Sequence, residues 1–335
     1  MIRGKRAIFA LFSGLLVATA ASPLRAEGTI RILEQFGISY LPLHVIKDQN
    51  LIAKHGKALG VDIKTEWTKV SGGAAANDAL LSGAVDIVTA GLGPLLTIWD
   101  RTKGNEDVRG IAALADVNFA LLTSNPKVSS LEDFGPNDRI AVPSIRVSVQ
   151  ARALQLAAAK TFGREQFAKF DPITVSLPHP DATQALISKN GTVTAHFSNA
   201  PYQQQALNVP GVRRITDWFA ILGGPTTSVA LYTRAKYRSS SPKTYRAFIA
   251  ALDEAIAFVN EKPEAAVDTY IRVEQSKLDK EFLLAILKSP DLKFGATPHN
   301  TLAFAQFLKG IGALKNTPSD WRDYFFEDVH ERKGS

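Results

Sequence analysis

Hydrophobic residues alternate with polar ones, or run in short blocks, through the first two thirds of the chain. They switch to a helical period in the last third. The early blocks read as strands over 29–35, 61–68, 86–90, 108–115 and 119–123, with helices over 42–50 and 74–81 between them. A second series repeats the alternation. Strands are predicted over 139–142, 173–177, 192–197, 212–216 and 227–233, and helices over 147–162, 181–189 and 201–207. From Ser241 onward Tyr245, Phe248, Ile249, Leu252, Ile256 and Val259 stripe one helix face, and Pro263 ends it. Further helices start near 264, 279, 301 and 319. The fold class that follows is α/β: two α/β units with parallel sheets under helices, then a helical C-terminal part. No period of 20–50 residues repeats, and no low-complexity linker separates the halves, so two domains imply that the chain crosses between them more than once.

The first 26 residues form a different block. Arg3, Lys5 and Arg6 precede an apolar run over 7–20, then Ser22-Pro23 and Leu24-Arg25-Ala26. This is the order of a cleavable secretory signal, and the apolar run is shorter than the roughly 20 residues of a membrane span. Cleavage is expected after Ala26. Later apolar stretches are all interrupted by charge.

The absence of cysteine excludes disulfides, a thiol nucleophile, thiolate metal sites and a Cys-linked lipid anchor. An exported, unlipidated protein suits a periplasm. The chain's net charge of +7 falls to +3 from Glu27 onward (35 Lys+Arg against 32 Asp+Glu), with no long basic run, which leaves nucleic-acid binding unsupported. No Gly-x-Ser-x-Gly elbow occurs, and the six histidines show no metal-ligand spacing, so no metal, cofactor or catalytic group is expected.

In open α/β sheets ligands sit beyond the carboxyl ends of the strands, so the loops after the strands carry the candidate site. Phe36, Ile38 and Tyr40 follow the first strand; the aromatics are either packing residues or walls of a pocket. Ser71-Gly72-Gly73 follows the second and opens a helix, a place where backbone N–H groups and the helix dipole hold an anion, or where the same residues merely cap. Gly91 and Leu92 follow the third, before Pro94 in the first turn of a helix. In the second unit Ser144, Arg146 and Ser148 occupy the equivalent loop, as caps or donors, with Arg146 either a fork for an oxyanion or a solvated charge. His196, Ser198 and Asn199 close a later strand.

The runs Tyr40-Leu-Pro-Leu-His, Ser71-Gly-Gly-Ala-Ala-Ala-Asn-Asp-Ala-Leu-Leu-Ser-Gly-Ala-Val-Asp-Ile and Gly91-Leu-Gly-Pro, with Asp181-Ala-Thr-Gln-Ala-Leu-Ile-Ser and Thr192-Val-Thr-Ala-His-Phe-Ser-Asn-Ala-Pro-Tyr, resemble the nitrate/sulfonate/taurine family of periplasmic substrate-binding proteins of ABC importers. The resemblance spans nearly the whole chain after the signal. It implies a type II periplasmic binding protein-like fold with lobe 1 from 27–117 plus 221–335, lobe 2 from 118–220, and crossings near 116–122 and 220–231. It places the ligand in a cleft between the lobes, touching the loops named above and Asn118 at the first crossing. It implies an anionic small-molecule ligand, an inner-membrane permease and ATPase as partners, and a monomer that is not an enzyme. The family often carries acids at the position of Thr194 and before the proline; here Asn199-Ala200-Pro201 lacks that acid, which favours a plain anion over an amine or a cationic pyrimidine. The alternatives are a pyrimidine-precursor binding or synthase-like protein on the same fold, and a sensory binding protein.

Overall fold

The computed structural model describes residues 27–335; the expected signal segment, 1–26, lies outside the described residues. Eleven strands form two sheets. They are β1 (Thr29–Glu34), β2 (Lys64–Lys69), β3 (Ile87–Gly91), β4 (Val108–Val117), β5 (Ala120–Thr123), β6 (Ile140–Val142), β7 (Thr174–Ser176), β8 (Ala195–Ser198), β9 (Arg213–Asp217), β10 (Thr227–Arg234) and β11 (Leu292–Phe294). The first sheet has the order β11-β4-β10-β3-β1-β2, and the second β7-β6-β8-β5-β9.

The alternating pattern predicted parallel sheets, and both are mixed instead. β1 pairs parallel with β2 and β3, but β10 runs antiparallel to β3 and β4. In the second sheet β6 pairs parallel with β7 and β8, while β5 is antiparallel to β8 and β9. The reason is connectivity. The chain leaves the first sheet at β4, enters the second at β5, and returns from β9 to β10, so each passage inserts a strand against the local direction.

The α-helices of five residues or more are α1 (Leu41–Asp48), α2 (Leu51–Ala58), α3 (Gly73–Leu81), α4 (Leu92–Thr102), α5 (Val149–Phe162), α6 (His179–Ile187), α7 (Tyr202–Leu207), α8 (Trp218–Leu222), α9 (Ala235–Ser240), α10 (Pro242–Glu261), α11 (Pro263–Glu274), α12 (Lys280–Leu287) and α13 (Leu302–Gly310). The striped face of α10 buries Tyr245, Phe248, Leu252, Ile256 and Val259, as its period requires. Most predicted strands and helices are present, shifted by one to three residues at their ends. The strand after Gly60 is shorter than predicted because the chain leaves α2 through a turn at Leu59-Gly60 and stays irregular over 61–63, and α2, α8, α9 and β11 have no counterpart in the sequence pattern. β11 is three residues long, too short to show a period. The aromatics Phe304, Tyr324, Phe325 and Phe326 are core residues.

No helix of the described residues is long and apolar enough to cross a membrane.

Candidate functional site

The two sheets turn their loops toward one another, and five helices begin at the seam. Tyr40 precedes the first residue of α1, Gly73 is the first of α3, Gly91 precedes α4, Ser148 caps α5, and His179 is the first of α6. Each of these residues lines one cavity, together with Gln35, Phe36, Pro94, Phe119, Pro143, Val149, Gln150, Asn199 and Val229. A helix start leaves N–H groups and a partial positive charge that favour an anion, so helix starts gathered at one cavity favour one there without a cationic side chain; at α1 the contribution is the dipole, since the Leu41 N–H is on the Ile38 carbonyl and Pro42 has none. Its lining contains neither a carboxylate nor a lysine or arginine.

The sides are closed by contacts between the two sheets' loops. The N–H of Ile38 donates to the Ala200 carbonyl at 3.0 Å, and Asn199 Nδ2 donates to the Phe36 carbonyl at 3.1 Å. Gly91 faces Val149 so closely that a Cβ added to it would lie 2.7 Å from Val149 Cγ1. Gly72, with φ at 83°, faces the Pro143 carbonyl; an added Cβ would lie 2.5 Å from that oxygen. In this closed arrangement the cavity measures about 20 Å3, the room of about one ordered water molecule.

The polar lining has open hydrogen-bonding capacity. Gln35 Oε1 accepts the Gly72 N–H at 3.1 Å, leaving its amide NH2 as a donor. Asn199 Oδ1 is buried and has no partner. Ser148 Oγ accepts the Ala151 N–H at 3.2 Å and donates to the Ser144 carbonyl at 2.8 Å, so its hydroxyl proton goes to the backbone. Gln150 Nε2 lies 3.4 Å from His179 Nε2, and His179 Nδ1 lies 2.9 Å from His196 Nε2. Burial lowers the His179 imidazole to about 3, and burial together with the neighbouring His179 drives His196 down as well, so both rings are neutral at ordinary pH.

Of the residues predicted from sequence, Phe36, Tyr40, Gly73, Gly91, Ser148 and Asn199 line the cavity. The others stand elsewhere. Ile38 and Leu92 are buried in the core, and Ser71 lies one residue outside the Gly72 contact. Arg146 is exposed and donates to Asp171 at 3.0 Å, so it is a surface ion pair and not an anion fork. Asn118 ties the first crossing together. It bonds Asp291 through Nδ2, accepts the Phe219 N–H at 2.9 Å, and takes Gln203 Nε2 on its carbonyl. His196 stands behind His179, and Ser198 is buried on β8 with its hydroxyl on the Asn199 carbonyl. The buried Ser144 hydroxyl has no partner and does not line the cavity. Sequence reasoning passed over Gln35, Gln150, His179 and Phe119. His179 was legible as the residue at the start of the Asp181 helix; the two glutamines carried no signal.

Beside the cavity, Glu34, His44 and Glu274 bring possible metal-ligand atoms within 4.8 Å of one another, a grouping invisible to sequence spacing. The cation there is Lys69. Its ammonium hydrogen-bonds Glu274 and lies 3.7 Å from Glu34. Burial raises the Glu274 carboxyl, but His44 and Lys69 outweigh it and hold it at about 2.

Two mixed sheets facing each other across a cleft ringed by helix starts define the periplasmic binding protein fold. The structure is similar to the alkanesulfonate-binding protein SsuA of Xanthomonas axonopodis pv. citri bound to MOPS (TM-score 0.68, 17% identity, 87% of this chain and 96% of that one). It is similar to the periplasmic nitrate-binding protein NrtA of Synechocystis PCC 6803 (0.69, 16%, 91% and 86%). A Candida albicans gene product described as having the generic periplasmic binding protein fold matches as well (0.68, 19%, 89% and 96%). No curated protein matches the chain. Residues 36–271 match the model of the NMT1-like family, and the chain belongs to that family. This membership and fold support the nitrate/sulfonate/taurine-type assignment to which the sequence pointed.

Proposed function

We propose that the protein is the periplasmic solute-binding component of an ABC importer, which takes a small organic anion, sulfonate- or taurine-like, or nitrate, into the cleft and hands it to the permease and its ATPase. The observation that carries this reading is the convergence of five helix starts on a cavity without carboxylates. In this reading the lobes are 27–117 with 221–335, and 118–220, and they part to admit the ligand. Phe36, Tyr40, Phe119 and Val149 then enclose an organic body. Asn199 Oδ1, its amide oriented by the Phe36 carbonyl, favours a ligand with an N–H or O–H beside its anion, as taurine has. Binding fits better than catalysis, because Ser148, the lining hydroxyl nearest a catalytic role, is engaged with the backbone and not with His179.

The test is a thermal-shift screen of the purified protein against nitrate, taurine, alkyl and aryl sulfonates, aromatic carboxylates and pyrimidines. A ligand at 100 times its dissociation constant adds about 2.7 kcal/mol, a shift of several degrees. The expected result is a shift with one anion class, absent in Gln35→Ala/Gln150→Ala. Stabilisation by pyrimidines alone, or by none of these compounds in folded, ligand-free protein, refutes the anion reading.

A further inference from the structure

His179 on the cavity wall and His196 behind it form part of a longer hydrogen-bonded chain. Gln150 Nε2 faces His179 Nε2 at 3.4 Å, His179 Nδ1 faces His196 Nε2 at 2.9 Å, and His196 Nδ1 faces Thr183 Oγ1 at 3.4 Å. His179, His196 and Thr183 are 6%, 0% and 3% exposed, and Tyr202 stacks on His179 with ring centroids 6.0 Å apart. A neutral imidazole carries one N–H, so only one of the two nitrogens that meet at 2.9 Å holds the proton. That leaves two settings. In the first, His179 donates from Nδ1 and His196 donates from Nδ1 to Thr183. His179 Nε2 is then a bare acceptor toward the cavity, which suits the Gln150 NH2 that faces it. In the second, Thr183 donates to His196 Nδ1, His196 donates from Nε2, and His179 presents Nε2–H to the cavity. The chain accommodates both because it ends in a hydroxyl that rotates to donate or accept.

We propose that His179, His196 and Thr183 form a two-way hydrogen-bond relay, and that an oxyanion in the cleft holds it in the second setting, with His179 Nε2–H on the ligand. The proposal rests on the reading of the cleft as an anion site. His179 is then a ligand contact, and His196 and Thr183 are positioning residues that decide which face it offers. Each ring keeps one proton in both settings; only the nitrogen that carries it changes, by exchange with water that enters when the lobes part. The wall gains a donor for the anion without taking up charge.

The test is long-range proton–nitrogen spectroscopy on the protein expressed from its full chain with 15N-labelled histidine, with and without nitrate, and with and without taurine. Spectra of His179→Gln and His196→Gln assign the signals. Without anion, His179 is expected to be protonated at Nδ1; with saturating anion, at Nε2. Thr183→Val strips His196 Nδ1 of its partner in both settings, but an orphaned N–H costs more than an orphaned lone pair, so in this variant His179 should carry Nε2–H even without anion, and Thr183→Ser should restore Nδ1–H. An anion-bound state in which His179 keeps Nδ1–H, or in which either ring carries two protons, overturns the relay. So does a folded Thr183→Val protein whose anion-free His179 keeps Nδ1–H. If neither anion binds the wild type, the anion reading and the relay fall together; binding with unmoved protons sinks the relay alone.

Discussion

Gly91 offers the sharpest test of closure. Its φ of −65° and ψ of 161° are ordinary for any residue, so Gly91→Ala introduces no backbone strain of its own. The atoms an added methyl would meet all belong to Val149, across the cleft: Cγ1 at 2.7 Å, Cβ at 2.9 Å and the backbone N at 3.5 Å. Two of these distances are too short to be absorbed without movement, and Val149 Cβ is fixed to its backbone. The clash exists only while the lobes are together, so the variant should open them instead of unfolding them. Overpacking of a close contact costs about 1–3 kcal/mol, which here falls on the closed state alone and corresponds to roughly a 5- to 150-fold loss of ligand affinity. The unliganded variant should be as stable as the wild type or slightly more so, because alanine restricts the unfolded chain by about 0.4–1 kcal/mol. Titration calorimetry with the anion identified by the screen measures the first quantity, urea unfolding the second, and the radius of gyration in solution should rise. An affinity within twofold of the wild type would refute the closed-cleft reading. A fall in unliganded stability of several kcal/mol would place the clash within one lobe instead.

Other expectations follow from the charged and buried groups. His179 titrates near 3 in the folded state and His196 is also lowered, against 6.5 unfolded, so the unfolded chain takes up protons first as pH falls. Stability should be flat above pH 7 and drop below 6.5 by about 1.4 kcal/mol per pH unit for each ring, as urea unfolding at several pH values would reveal; His179→Gln/His196→Gln should lose that part of the slope. Lys69→Met leaves the carboxylates of Glu34 and Glu274 without their cation and should cost about 3 kcal/mol by urea unfolding, with part regained in Lys69→Met/Glu274→Gln. Arg146→Gly removes an exposed ion pair at a residue with φ of 58°, so calorimetry should find ligand affinity unchanged and stability altered by less than about 1 kcal/mol.

Much of the fold was legible because strands and helices are written locally. The period-2 blocks found ten of the eleven strands, and the stripe from Tyr245 to Val259 marked α10 before any contact was known. The candidate loops were legible for a similar reason: a ligand cleft beyond strand ends is a property of the α/β class. Within those loops, which side chain faces inward was not legible. Ser148 and Arg146 are two residues apart, yet one lines the cavity and the other lies on the surface against Asp171. His196 had the right chemistry in the wrong layer, with His179 between it and the cavity.

The amino-acid pattern on its own therefore determined the α/β class, the family and the loops that carry the candidate site, since each depends on residues near one another in the chain. The tertiary structure alone decided the mixed strand directions, the meeting of five helix starts around one cavity, the glycine-tight seam at Gly72 and Gly91, the buried imidazole pair, and the Glu34–His44–Lys69–Glu274 cluster. Each of these joins residues that the sequence holds far apart, and local periodicity carries no information about which distant segments come to face one another.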